Sequence, residues 1–205
     1  MFTGIVTTVG SIVDVDQRDD LRVVIACEWD MGDVDIGASI ACSGVCLTVV
    51  EKGRHPEGGQ FAVDVSAETV RRTVEGMWTV GRPLNLERAL KLGDELGGHL
   101  VTGHVDTVGR IAEVSDQGGS RMVTLEVEKE YAPFVAHKGS ITVDGVSLTV
   151  NTVDDRDDGQ TDFTVNLIPH TGEVTTLGRL KRDDRVNLEI DTVARYLQRL
   201  VKLRA

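Results

Sequence analysis

Three things are scarce in this chain of 205 residues: cysteine, long apolar runs and basic charge. Cys27, Cys42 and Cys46 are an odd number, in a chain much longer than the secreted domains that depend on disulfides, so free thiols are expected. Their spacing lacks the paired Cys and His clusters of a zinc site, and no metal is expected. No uninterrupted apolar stretch approaches the ~20 residues of a membrane span. The opening "MFTGIVTTVGSIVDVD" alternates like a strand and lacks the basic segment and apolar core of a secretory signal. These absences give a soluble, cytoplasmic reading with no membrane partner. With 22 Lys and Arg against 33 Asp and Glu, the formal charge of -11 argues against a nucleic-acid partner, because phosphate neutralisation needs clustered cations.

What the sequence does contain is a duplication. "TGIVTTVGSI" from Thr3 lies over "TGHVDTVGRI" from Thr102 with seven identities in ten positions. "GASIACSGVCLTV" from Gly37 lies over "KGSITVDGVSLTV" from Lys138 with seven in thirteen. Phe61 then pairs with Phe163, Thr69 with Thr171, and "NLE" at Asn85 with "NLE" at Asn187. Collinear matches with offsets drifting only from 99 to 102 mean two copies of one unit. The units are placed at 1–96 and 97–191, and the most divergent stretches, such as "EKGRHPEGGQ" and "DDRDDGQTD", read as polar turns.

Within each unit the pattern has period two. Val45, Leu47 and Val49 share one strand face and Gly44, Cys46 and Thr48 the other; Val146, Leu148 and Val150 oppose Gly145, Ser147 and Thr149. Many short strands with Gly-containing turns suggest a small closed antiparallel barrel, since closure removes exposed edges. Brief helices are expected at "SAETVRRTV" and "KEYAPFV". Residues 192–205 differ from both copies. Asp191 or Thr192 is an N-cap candidate, and Val193, Leu197, Leu200 and Arg204 recur at helical spacing with Val201 alongside, a stripe suited to docking on the barrel or to joining subunits.

"MFTGIV", "GVCLTV", "GGHLVTGHVD", "DGVSLTV" and "VNLEID" together resemble the riboflavin synthase alpha-chain family, in the same order over nearly the whole chain. The resemblance implies a mostly β fold: two tandem six-stranded Greek-key β-barrels related by internal duplication, plus a C-terminal α-helix that assembles a homotrimer. It implies a four-carbon transfer between two molecules of 6,7-dimethyl-8-ribityllumazine, giving riboflavin and 5-amino-6-(ribitylamino)uracil. It implies no metal and no redox cofactor, and it brings in lumazine synthase as an expected partner. A reaction whose donor and acceptor are the same molecule accounts for copying one barrel. The alternative is a non-catalytic binder of the same fold, similar to the lumazine proteins.

Carried over by position, the resemblance gives the first pocket Gly4, Ile5 and Val6, then Cys46, Leu47 and Thr48, then Asp64, Val65, Ser66, Ala67, Glu68 and Thr69. The second receives Gly103, His104 and Val105, then Lys138, then Ser147, Leu148 and Thr149, then Asn166, Leu167, Ile168, Pro169, His170 and Thr171. His170 departs from the Glu common in the family and present here as Glu68. Cys46 is the sharpest catalytic candidate, because its counterpart is Ser147; by itself a Cys in a strand reads as packing. His104 replaces Ile5 of the first copy and is suited to moving a proton, with His99 as its competitor. Phe2 reads as a barrel plug or a wall of the site, Ser39 has a counterpart in Ser140, and Asp191 either caps the terminal helix or lies near the site.

Overall fold

The computed structural model describes residues 1–204 and contains two closed antiparallel barrels. The first comprises β1 (Thr8–Gln17), β2 (Leu21–Cys27), β3 (Ser39–Cys42), β4 (Val45–His55), β5 (Gly58–Val65) and β6 (Pro83–Arg88), ordered β1-β2-β5-β4-β3-β6. The second comprises β7 (Thr107–Gln117), β8 (Ser120–Glu128), β9 (Ser140–Val143), β10 (Val146–Asp155), β11 (Gln160–Leu167) and β12 (Arg185–Ile190), in the equivalent order. In each, three consecutive strands pair as neighbours and an earlier strand returns beside the last of them, a Greek-key path.

The period-two pattern is realised strand by strand. Val45, Leu47 and Val49 are buried, Cys46 is half-buried and Thr48 is exposed; β10 repeats this with Val146, Leu148 and Val150 inward. Phe61 and Phe163 are fully buried in their respective cores, among Ile25, Ile40 and Leu86 in one and Leu125, Ile141 and Leu188 in the other. Bulges recur at matching places, after Ile12 and Ile111 and after Val49 and Val150. A bulge bends its strand and increases its twist, which a six-stranded barrel needs in order to close.

Ser66 caps α1 (Ala67–Arg72), where its hydroxyl accepts the Thr69 N–H at 3.2 Å. The helix expected at "KEYAPFV" is only a single tight turn, Ala132–Phe134; no side chain caps its start, and Val135 is already extended. A helix the sequence reading did not foresee, α2 (Pro169–Val174), stands where α1 stands in the first copy, with Pro at its first position. The terminal helix α3 (Thr192–Arg204) is capped by Asp191, whose carboxylate accepts the Val193 N–H at 2.8 Å. No helix among the described residues is long and apolar enough to cross a membrane.

Two buried asparagines join the barrels crosswise. Asn85 donates to the Asp144 carbonyl (2.9 Å) and accepts from Thr176 N–H (2.8 Å); Asn187 donates to the Ser43 carbonyl (3.0 Å) and accepts from Val74 N–H (2.9 Å). Their own backbone N–H groups end on Ser43 Oγ and Asp144 Oδ1 respectively. Thus one copy uses a hydroxyl and the other a carboxyl for the same bond. Burial pushes the Asp144 carboxyl up to about 7, opposed by the Asn187 N–H and the Arg82 charge. An acid with a raised folded-state pKa binds extra protons when folded, so its contribution is complete below about pH 4 and fades as pH rises towards 7. Asp144→Ser, copying Ser43, is therefore expected to raise stability at pH 8 relative to wild type and to lose that advantage at pH 4.5, as read from urea midpoints at the two pH values.

Candidate functional site

The chain ahead of each barrel crosses to the other barrel, and a buried glutamate holds each crossing. Glu87, on β6, accepts Thr3 N–H and Thr3 Oγ1–H (both 2.7 Å) and Gly4 N–H (3.0 Å). Glu189, on β12, accepts Thr102 N–H (2.7 Å), Thr102 Oγ1–H (2.6 Å), Gly103 N–H (2.9 Å) and His104 N–H (3.1 Å). Desolvation lifts both carboxyl pKa values, while these donors pull them back.

Held in this way, Gly4 O accepts from Ser147 N–H and Gly103 O from Cys46 N–H, both at 2.8 Å. Gly4 and Gly103 have φ of +75° and +79°, and a Cβ on either would lie 2.5 Å from the Cβ of Ser147 or Cys46. Only glycine meets both demands. Between the two crossings Phe2 and Val101 pair as a short antiparallel bridge. Val6 packs on the second core and Val105 on the first. The structure thus brings Gly4 and Val6 to Ser147 and the second barrel, and Gly103 and Val105 to Cys46 and the first, where the sequence grouped Gly4–Val6 with Cys46 and Gly103–Val105 with Ser147. The strands themselves cannot be exchanged, but a segment preceding a strand can cross a short gap.

Each crossing lies beside a gap in a ladder. β4 pairs with β5 only as far as Val49 and Val63, so Cys46–Thr48 and Asp64–Thr69 run on without pairing to each other. β10 and β11 part after Val150 and Val165, leaving Ser147–Thr149 and Asn166–Thr171. Leu47, Val65, Leu148 and Leu167 turn their side chains into the cores and can offer a ligand only backbone groups. Thr48, Asp64, Ser66, Ala67, Thr149, Asn166, Ile168 and Pro169 are exposed there, and Thr69 and Thr171 are half-buried. Ser39 lies opposite Thr48 in the ladder, as Ser140 lies opposite Thr149. Glu68 is engaged by Arg71 and Arg72 on its own helix, which holds its carboxyl below the usual range; His170 is exposed at the matching position. Lys138 sits at φ +62° where the first copy has Gly37; Lys138 N–H donates to Val150 O on β10 and Gly37 N–H to Val49 O on β4.

The structure divides the catalytic candidates. Cys46 is half-buried against Phe2, Ala41 and Val101. Cys42 is buried and its thiol pKa is pushed strongly up; Cys27 is also buried, with a raised pKa. Phe2 is fully buried, so it supports Cys46 from beneath. His104 is held by its backbone, and among the described residues its ring has no hydrogen-bond partner. His99 is instead wired in: its Nδ1 lies 2.7 Å from Ser147 Oγ and its Nε2 3.2 Å from Thr142 Oγ1. Burial lowers its pKa, and the charge of Asp191 raises it. Sequence reasoning missed Glu87, Glu189, Asn85 and Asn187, although the repeated "NLE" contains all four. A cavity of about 450 Å³ at the barrel seam, lined by residues such as Ser43, Arg82, Asp144 and Asn187, contains none of the candidate residues.

Comparison with known proteins agrees with this geometry. The lumazine binding domain family matches residues 3–89 and again 102–191. Riboflavin synthase of Brucella abortus (strain 2308) is 48% identical over 98% of both chains, and that of Mycobacterium tuberculosis (strain H37Rv) 45% over 98% of both. The chain belongs to the riboflavin synthase family. Riboflavin synthase of Escherichia coli (strain K12) is 39% identical over 93% of this chain and 87% of its own. A crystal structure of LumP complexed with riboflavin shares the fold, with a TM-score of 0.78 at 24% identity over 93% of this chain and 99% of that one. Family membership accounts for the tandem barrels, and the clamps explain how the crossings are held. Gly103→Ala is expected to lift the crossing off Cys46 and lower kcat about tenfold or more, the effect of ~1 Å misplacement at a reacting centre. Glu189→Gln should also lower kcat, because the amide oxygen serves one pair of the four donors to Glu189 and the amide nitrogen faces the other pair; steady-state kinetics measures both variants.

Proposed function

We propose that the protein converts two molecules of 6,7-dimethyl-8-ribityllumazine into riboflavin and 5-amino-6-(ribitylamino)uracil by moving a four-carbon unit from one molecule to the other. The observation that carries this reading is the exchange of crossing segments, which gives one chain two pockets of the same build for one substrate used twice. The two products together contain every atom of the two substrates, so the transfer needs no external oxidant or reductant. Holding both molecules in register can supply ~7–11 kcal/mol of the barrier reduction.

The pockets are alike in frame and unlike in chemistry. Cys46 and His104 furnish one, with Cys46 as nucleophile or as the group that activates water, and His104 as proton carrier. Ser147 with His99 furnishes the other. Burial lowers the His99 pKa and so favours the neutral ring, which can take a proton, through Ser147, from an acidified methyl group. Lys138 pays ~1 kcal/mol for a left-handed backbone that Gly37 adopts freely, which supports a functional role for its ammonium beside this pocket. Ser39 and Thr48, and Ser140 and Thr149, offer facing hydroxyls to the ribityl chains. Asp191 caps α3, and the effect of its charge on His99 supports a second role for it beside the Ser147 pocket.

The working form proposed is a cytoplasmic homotrimer with lumazine synthase as a partner. Self-association is supported by α3, which has no buried residue and exposes Leu197 by 59%, Leu200 by 53% and Val201 by 61%. Leu197→Glu with Leu200→Glu is expected to reduce the sedimentation mass to that of one chain and to abolish most turnover.

Incubation of the protein with the lumazine alone is expected to consume two molecules per riboflavin formed. Tight binding without riboflavin would instead assign the chain to the non-catalytic carriers. Cys46→Ser and His99→Gln are each expected to lower kcat by about 10²-fold, the usual size of a lost acid–base or nucleophilic contribution. A few residues added ahead of Met1 should reduce activity by disturbing Phe2 under Cys46.

A further inference from the structure

The two crossings differ at a position that the two-pocket reading leaves unused. Thr7 in the first copy corresponds to Asp106 in the second. Both donate backbone N–H to the last strand of their barrel, Thr7 to Leu86 O (3.0 Å) and Asp106 to Leu188 O (2.8 Å). The Thr7 hydroxyl adds only a long bond to the same Leu86 carbonyl, at 3.4 Å. The Asp106 carboxylate accepts Ile190 N–H (2.9 Å) and closes a two-pronged pair with Arg195 of α3, at 2.6 Å to Oδ1 and 2.9 Å to Oδ2. Its side chain is 11% exposed and that of Arg195 37%. A two-pronged guanidinium–carboxylate pair in so sheltered a place fixes direction as well as distance, unlike an exposed pair.

This pair is one of few anchors that α3 has. The helix also packs on the Ala132–Phe134 turn, and its own first turn is closed by the Asp191 cap and by Arg195 N–H to Asp191 O. The crossing that the pair reaches is the one that holds Cys46 N–H through Gly103 and presents His104. That crossing is now fixed at both ends, by Glu189 at Gly103 and His104 and by Asp106 at its exit. The other crossing has Glu87 at Thr3 and Gly4 and, at its exit, the Thr7 N–H and hydroxyl on Leu86 O, with a hydroxyl in place of the carboxylate.

We propose that Asp106 and Arg195 form a positioning link that couples the terminal helix to the Gly103–Asp106 segment, so that the helix governs the Cys46 pocket. The proposal rests on the reading that the Cys46 pocket takes part in turnover. It explains why a helix with no counterpart in the first copy follows directly on the strand that carries Glu189.

The test is steady-state kinetics and sedimentation on the full chain with Arg195→Met and Asp106→Asn, the latter keeping an acceptor for Ile190 N–H. Each is expected to lower kcat about tenfold with KM within about twofold, the pattern of an interaction lost from the transition state. Assembly mass should be unchanged. Arg195→Lys, which keeps the charge but loses the fork, should recover part of the rate. In a His104→Gln background Arg195→Met should add less than about twofold, because the two act through one segment. Wild-type kcat for Arg195→Met, full multiplication of the two losses, or a loss of assembly mass that accounts for the lost activity would each overturn the link. A His104→Gln variant at wild-type rate would remove the role of His104 alone, and the link would then be decided by Cys46→Ser as the second background.

Discussion

Two buried carboxylates collecting the N–H groups of two crossing segments are the constraint on which the rest of this protein depends. Glu87 and Glu189 lie on the closing strands, where a charge taken from water is costly unless its lone pairs are satisfied. Each meets that demand with backbone and hydroxyl donors from the residues just ahead of its own barrel. A segment held by several charge-assisted bonds cannot slide, and this allows the next contact, a glycine carbonyl on the neighbouring barrel, to form at 2.8 Å in both directions. The bridge between Phe2 and Val101, the seat of Cys46 and the approach of Ser147 all follow from that arrangement.

Reciprocity also explains why the two halves behave as one body. A pair of barrels sharing only a flat face would be free to shift, whereas here each lends a strand-like segment to the other and the seam is sewn by Asn85 and Asn187. These asparagines are buried with both ends of each amide paired across the seam, so shifting the barrels would leave polar groups unpaired.

Duplication supplies the frame, and divergence supplies the chemistry. Cys46 against Ser147, Ile5 against His104, Gly37 against Lys138 and Thr7 against Asp106 are all differences at equivalent positions; three of them lie at a crossing or at the strand it meets, and Gly37 and Lys138 lie in the turns ahead of β3 and β9. The cores hardly differ in kind, with Phe61 and Phe163 at corresponding places. Packing tolerates few alternatives in a small barrel, so the copies differ in their polar turns and at the crossings more than in their cores.

The sequence by itself determined the two copies, their closed barrels and the capped terminal helix. Each of these is written in local periodicity or in direct self-similarity: Val45, Leu47 and Val49 alternate, and Asp191 precedes a helical stripe. It also singled out Cys46 and His104, because one copy can be compared with the other. Only the tertiary structure decided which barrel each crossing serves, since a glycine at φ near +75° redirects the chain without recording where it goes. It alone joined His99 to Ser147, and Asp106 to Arg195, 89 residues apart. Such pairings are made by closing the barrels, and no spacing along the chain encodes them.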